Sequence, residues 1–157
     1  MSWRFRAVVT FPAAALAIPA IREVYDDVDK NRAHGWEIED DDPVAIADDD
    51  ANRGMMDEIT DLLDKHKVPY DHWFGDSEDG GGEYTIYTRY DEEGDSLLYS
   101  SENESQWQLA EEVLALLDND LDGAQATLCP NAVEVLRNHA GLKPPSLHEI
   151  DWAPPAS

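Results

Sequence analysis

The chain has 157 residues and a formal net charge of −24, from 35 Asp and Glu against 11 Lys and Arg. That length fits one domain with an ordinary core, and 42% hydrophobic content, with five Trp and six Tyr, argues against disorder by composition. The charge argues against direct contact with DNA, RNA or an anionic membrane, because phosphate binding needs Lys and Arg, and the lone Cys129 excludes an internal disulfide scaffold.

Residues 4–11 alternate, with Phe5, Ala7, Val9 and Phe11 on one face, and predict a half-buried strand ended by Pro12. The apolar run 7–20 behind Arg4 and Arg6 resembles a signal peptide, but Thr10, Pro12 and Pro19 interrupt it. A strand followed by a helix is the better reading. No run reaches the roughly 18 uninterrupted apolar residues that span a bilayer. The expectation is a soluble, cytoplasmic protein.

Ile21, Val24, Tyr25 and Val28 recur at helical spacing up to Gly35, and residues 36–39 read as a short second strand. From Glu37 to Asp50 there are eight acidic residues and no basic one, interrupted by the apolar run 44–47. A like-charge run of this kind reads as a solvated loop or as a contact for a partner. Residues 55–67 predict an amphipathic helix with Met55, Met56, Ile59, Leu62 and Leu63 inward. Asp57, Asp61 and Asp64 lie on the opposite side.

Residues 70–74 read as a strand, and 75–82, with three consecutive glycines, as a turn. Residues 83–90 alternate, with Tyr84, Ile86 and Tyr90 set against Thr85, Tyr87 and Arg89, and 96–100 pair back after a turn at Gly94. Residues 105–117 form a second strong helical pattern, with Leu109 among its core positions and Glu104, Glu111 and Asp118 outward. Residues 130–140 form a shorter one, stopped by Gly141. These elements predict a single α+β domain over 1–141, a mostly antiparallel sheet with three or four helices packed on it, opening on a ferredoxin-like βαβ unit. The Pro-punctuated tail, 142–157, is expected to dock through Leu147, Ile150 and Trp152.

Few motifs carry chemistry. Asp118, Asp120 and Asp122, followed by Gly123, match the first half of a calcium loop. The position that would close it with a bidentate Glu is Cys129, so only weak calcium binding is expected there. Cys129 itself, beside Leu128, reads as a plain buried thiol. The five histidines show no metal-binding spacing, and His66 and His72 read as surface residues flanking Pro69. The triple glycine has no following helix or Lys, as a phosphate loop requires. No cofactor and no catalytic constellation is indicated.

What remains is distributed charge. Asp40, Asp41 and Asp42, then Asp48, Asp49 and Asp50, then Asp57, Asp61 and Asp64, and finally Glu104, Glu111 and Asp118 are the candidate partner-binding residues. Asp57 and Asp61 stand about 6 Å apart along a helix axis, a spacing at which carboxylates can stand in for a phosphate backbone. The expected function is therefore non-enzymatic: inhibition of a basic, nucleic-acid-binding protein, of the counter-defence type directed at restriction or CRISPR enzymes. Two alternatives are an immunity protein or antitoxin capping a basic toxin and a halophile-type housekeeping domain with a solvated acidic coat. The sequence leaves the oligomeric state open.

Overall fold

The computed structural model describes residues 4–32, 35–75, 83–101, 108, 109, 113 and 143–154. The chain packs as two compact units, residues 1–98 with 145–157, and residues 99–144. The elements in chain order are β1 (Arg4–Phe11), α1 (Pro19–Asn31), β2 (Trp36–Asp41), β3 (Val44–Asn52), α2 (Asp57–Lys65), β4 (Tyr70–Gly75), β5 (Glu83–Tyr90) and β6 (Ser96–Ser100), with short 3-10 turns at Ala13–Ala17 and Leu147–Glu149. They make an α+β fold around one six-stranded antiparallel sheet of order β2-β3-β1-β4-β5-β6. β1, α1 and β2 form a split βαβ unit, because β3 lies between the two strands.

Two α-helices are present among the described residues, not three or four. The two further helices predicted at 105–117 and 130–140 lie largely outside those residues. Gln108, Leu109 and Val113 are helical, but Leu109, expected to face a core, is 61% exposed.

The alternation of β1 puts Ala7, Val9 and Phe11 at zero exposure. Val9 sits opposite Ile46 on β3 and His72 on β4, which fixes the buried face across the central strands. α1 begins with Pro19 in its first turn, where a missing N–H costs nothing. It turns Ile21, Val24 and Val28 into the core and ends at Arg32, whose left-handed backbone (φ +48°) lets its N–H reach the Val28 carbonyl at 3.0 Å. α2 contributes Ile59 and Leu63, with Met56 just before it, to the same cluster. Each such fully buried side chain stabilises the fold by about 1.5–3 kcal/mol.

The acidic segment 37–50 is not a loop. β2 and β3 form a hairpin around Asp42 and Pro43, with Ile38 opposite Ile46. The run Val44–Ala47 is buried along its whole length, on both faces of a strand that lies between β2 and β1. β2 is an edge strand, and its exposed Glu37, Glu39, Asp40 and Asp41 discourage further strands from adding there.

The helix expected at 55–67 is shorter, and Met55 is 53% exposed, not inward. The chain reaches α2 through Gly54, whose φ of +72° turns Met55 outward before Met56 enters the core.

A last departure concerns Arg89, which is 4% exposed. Its guanidinium lies 2.8 Å from the Asp71 carboxylate and donates to the carbonyls of Pro145 (2.8 Å), Thr88 (3.0 Å) and Tyr70 (3.3 Å). No Arg89 N–H is aimed squarely at Asp71 Oδ1, so that contact is Coulombic more than a hydrogen bond. Burial pushes the Asp71 carboxyl up, and the Arg89 charge pulls it back down. Residues 145–152 are held by the same corner: Leu147 is buried, and Trp152 donates its indole N–H to the Lys67 carbonyl at 3.2 Å.

Candidate functional site

Most of the candidate acidic residues fall into two sets once their contacts are traced. One set is engaged within the fold. Asp40 closes the hairpin turn, accepting from the N–H groups of Asp41 (2.8 Å) and Asp42 (3.4 Å). Asp41 accepts from the Tyr25 phenol at 2.7 Å, and that contact, with burial second, pushes the phenol up to about 12. Asp48 accepts the Trp36 indole N–H at 3.1 Å and the Asp50 N–H at 2.9 Å. Arg6, on β1, pairs with both Asp49 and Glu39.

The second set is outward and uncommitted. The side chains of Asp42, Asp57 and Asp61 are exposed and make no hydrogen bond or ion pair among the described residues. Asp57 and Asp61 share the outer face of α2, as the periodicity predicts, with Ile59 and Leu63 buried behind them. Asp57 also opens the helix, where a negative charge suits the N-terminal dipole. Glu104, Glu111, Asp118, Asp120 and Asp122 lie outside the described residues.

Asp64 belongs to neither set. It sits in the last turn of α2, where the helix dipole disfavours a carboxylate. Two phenols offset that: Tyr70 donates to its Oδ1 at 2.9 Å and Tyr90 at 2.8 Å. The two tyrosines meet there because Tyr70 opens β4 opposite Thr88 on β5, which puts Tyr90 two residues on along the same face. The Thr88 side chain lies close enough to the Tyr70 phenol to lower its pKa. Burial, followed among the raising causes by the Asp64 contact, pushes Tyr70 up to about 12 and raises Tyr90 as well.

This network lines a cavity of about 520 Å³, completed by Lys67, His72, Ile86 and the 94–98 segment. His72 is buried, not a surface residue. Its Nε2 donates to the Gly54 carbonyl at 2.6 Å, and burial pushes its pKa down. Sequence patterning placed Asp64 outward on its helix and Tyr90 on one face of its strand but gave no sign that they meet.

A further group, Asp91, Glu93 and Asp95, also escapes the sequence reading. Its carboxylates approach within 4.8 Å of one another at the β5–β6 turn. The Asp95 N–H bond to Asp91 (2.8 Å) and the left-handed Gly94 account for that approach as turn geometry.

The chain matches no known protein family, no curated protein and no solved structure.

Proposed function

We propose that this protein is a cytoplasmic, non-enzymatic binding protein that docks on a basic, nucleic-acid-binding protein and blocks it, as inhibitors of restriction or CRISPR enzymes do. The observation that carries this reading is how the charges are distributed. The well-placed arginines are taken up internally, Arg6 by Glu39 and Asp49, Arg22 by Asp26 at 3.3 Å, and Arg89 by Asp71. Asp42, Asp57 and Asp61 are left facing solvent without a counter-charge among the described residues. Unneutralised carboxylates on a rigid helix and hairpin attract a basic surface at long range and repel nucleic acid.

The test is the triple reversal Asp42→Lys, Asp57→Lys and Asp61→Lys. It leaves the engaged carboxylates and the core face of α2 in place, and circular dichroism checks the fold. Binding to the partner recovered from the host should fall steeply, since attraction becomes repulsion at three sites. Wild-type affinity in the folded variant would make the carboxylates a solvent coat, of the kind a salt-rich cytoplasm favours.

Capping of a basic toxin draws on the same electrostatics. It differs in what is occluded, a catalytic cleft and not a nucleic-acid channel, and the identity of the recovered partner decides between them.

A further inference from the structure

The cavity at the α2–β4–β5 corner differs in kind from the open acidic surface. Its lining includes an exposed carboxylate already fixed in place, because Asp64 Oδ1 accepts from two phenols at once. The other oxygen, Oδ2, accepts no hydrogen bond among the described residues. Fixing one oxygen so removes most of the side chain's freedom before any ligand arrives, which lowers the cost of binding to the other.

The remaining lining defines what would fit. Asp95 adds a second carboxylate, and Thr88 and Ser96 add hydroxyls. Ile86 and the 68%-exposed Leu98 supply apolar wall. The cationic member is Lys67, which lies against the backbone at Gly94, where an added Cβ would collide with its ammonium. His72 is buried and its Nε2 is turned to the Gly54 carbonyl. Two carboxylates against one ammonium leave the cavity negative, within a protein of net charge −24. An anion is repelled there. A long side chain with an apolar stem and a cationic head matches both the apolar and the acidic lining.

We infer that this cavity takes the cationic side chain of an arginine or lysine, with the head on Asp64 Oδ2 and the stem against Ile86 and Leu98. This rests on the basic-partner reading and assigns it a point of insertion: one basic side chain of the partner is buried here while the Asp42, Asp57 and Asp61 surface acts at longer range.

The test needs no partner. The full-length protein is titrated with N-acetyl-arginine methylamide and, separately, N-acetyl-lysine methylamide, with amide shifts followed by NMR. The neutral N-acetyl-citrulline methylamide has nearly the arginine shape and serves as the control. Saturable shifts are expected at Gly94, Asp95, Ser96 and Leu98 with at least one cationic probe, and none with the citrulline probe. Asp64→Asn should weaken the cationic probe by about tenfold or more, the usual loss when a hydrogen bond to a charged group is removed.

Absence of saturable shifts with both cations, or equal shifts with citrulline, overturns the inference. Should Asp64→Asn unfold the chain, the comparison of charged and neutral probes on the wild type still decides. Failure here leaves the acidic-surface reading standing, because the Asp42, Asp57 and Asp61 reversal spares Asp64. Failure of that reversal leaves a positive titration standing in turn.

Discussion

The Tyr90 phenol donates to Asp64 at 2.8 Å across 26 residues of chain, and the Tyr70 phenol donates to the same oxygen at 2.9 Å. Both phenols are held protonated by burial and by that carboxylate. The folded state therefore keeps these protons to higher pH than the unfolded chain, where the ordinary value is 10.0. Their contribution to stability is complete below pH 10 and is lost as pH rises through about 12. Denaturant midpoints measured across that window should fall for the wild type and fall less for the Tyr70→Phe, Tyr90→Phe double variant. Tyrosinate absorbance should also show Tyr25, Tyr70 and Tyr90 ionising only well above pH 10.

Arg89 and Asp71 form a largely buried pair, with side-chain exposures of 5% and 27%. Removing Arg89 strands the Asp71 charge in a largely buried site and takes a donor from the Pro145 carbonyl. Arg89→Ala should therefore destabilise the protein by about 3–5 kcal/mol in chemical denaturation. Adding Asp71→Asn to Arg89→Ala should cost less than the sum of the two changes, and strict additivity would mean that the two charges do not interact.

Two glycines separate backbone strain from collision. Gly35 and Gly54 have nearly the same left-handed backbone, φ +73° and +72°. A Cβ on Gly35 meets nothing within 4 Å, whereas one on Gly54 comes 2.9 Å from the Phe74 ring. Gly35→Ala should cost about 1–2 kcal/mol, the ordinary penalty for a left-handed L-residue. Gly54→Ala should cost clearly more and should disturb the Gly54 carbonyl that holds His72. Equal losses in the two thermal melts would mean that the Phe74 contact relaxes freely.

Much of the sheet was legible because its strands obey a simple period. β1 and β5 have the bounds that alternation predicts, with Pro12 closing the first, and β6 has those expected of a strand that pairs back after the turn at Gly94. β2 was read in part, over 36–39, but β3 was hidden by its own charge. Eight acidic residues lower strand propensity, and the signal that competes with them is the short run Val44–Ala47, whose burial depends on strands far away in sequence. The individual carboxylates on α2 were legible as outward-facing. Which of them are engaged was not, since Asp64 finds its phenols only after β4 and β5 pair. Arg89 was likewise unreadable: its place in the alternation is polar, and its burial comes from the segment that supplies the Pro145 carbonyl.

Electrostatic attraction to a basic protein is the central claim, and the association rate with the recovered partner tests it most directly. Stopped-flow mixing should be run at low and at physiological ionic strength, where screening shortens to about 8 Å. Steering by the exposed carboxylates predicts a rate constant that falls by about tenfold or more over that range, and a shallower fall for the Asp42→Lys, Asp57→Lys, Asp61→Lys variant. A wild-type rate constant that is the same at both salt concentrations would contradict it.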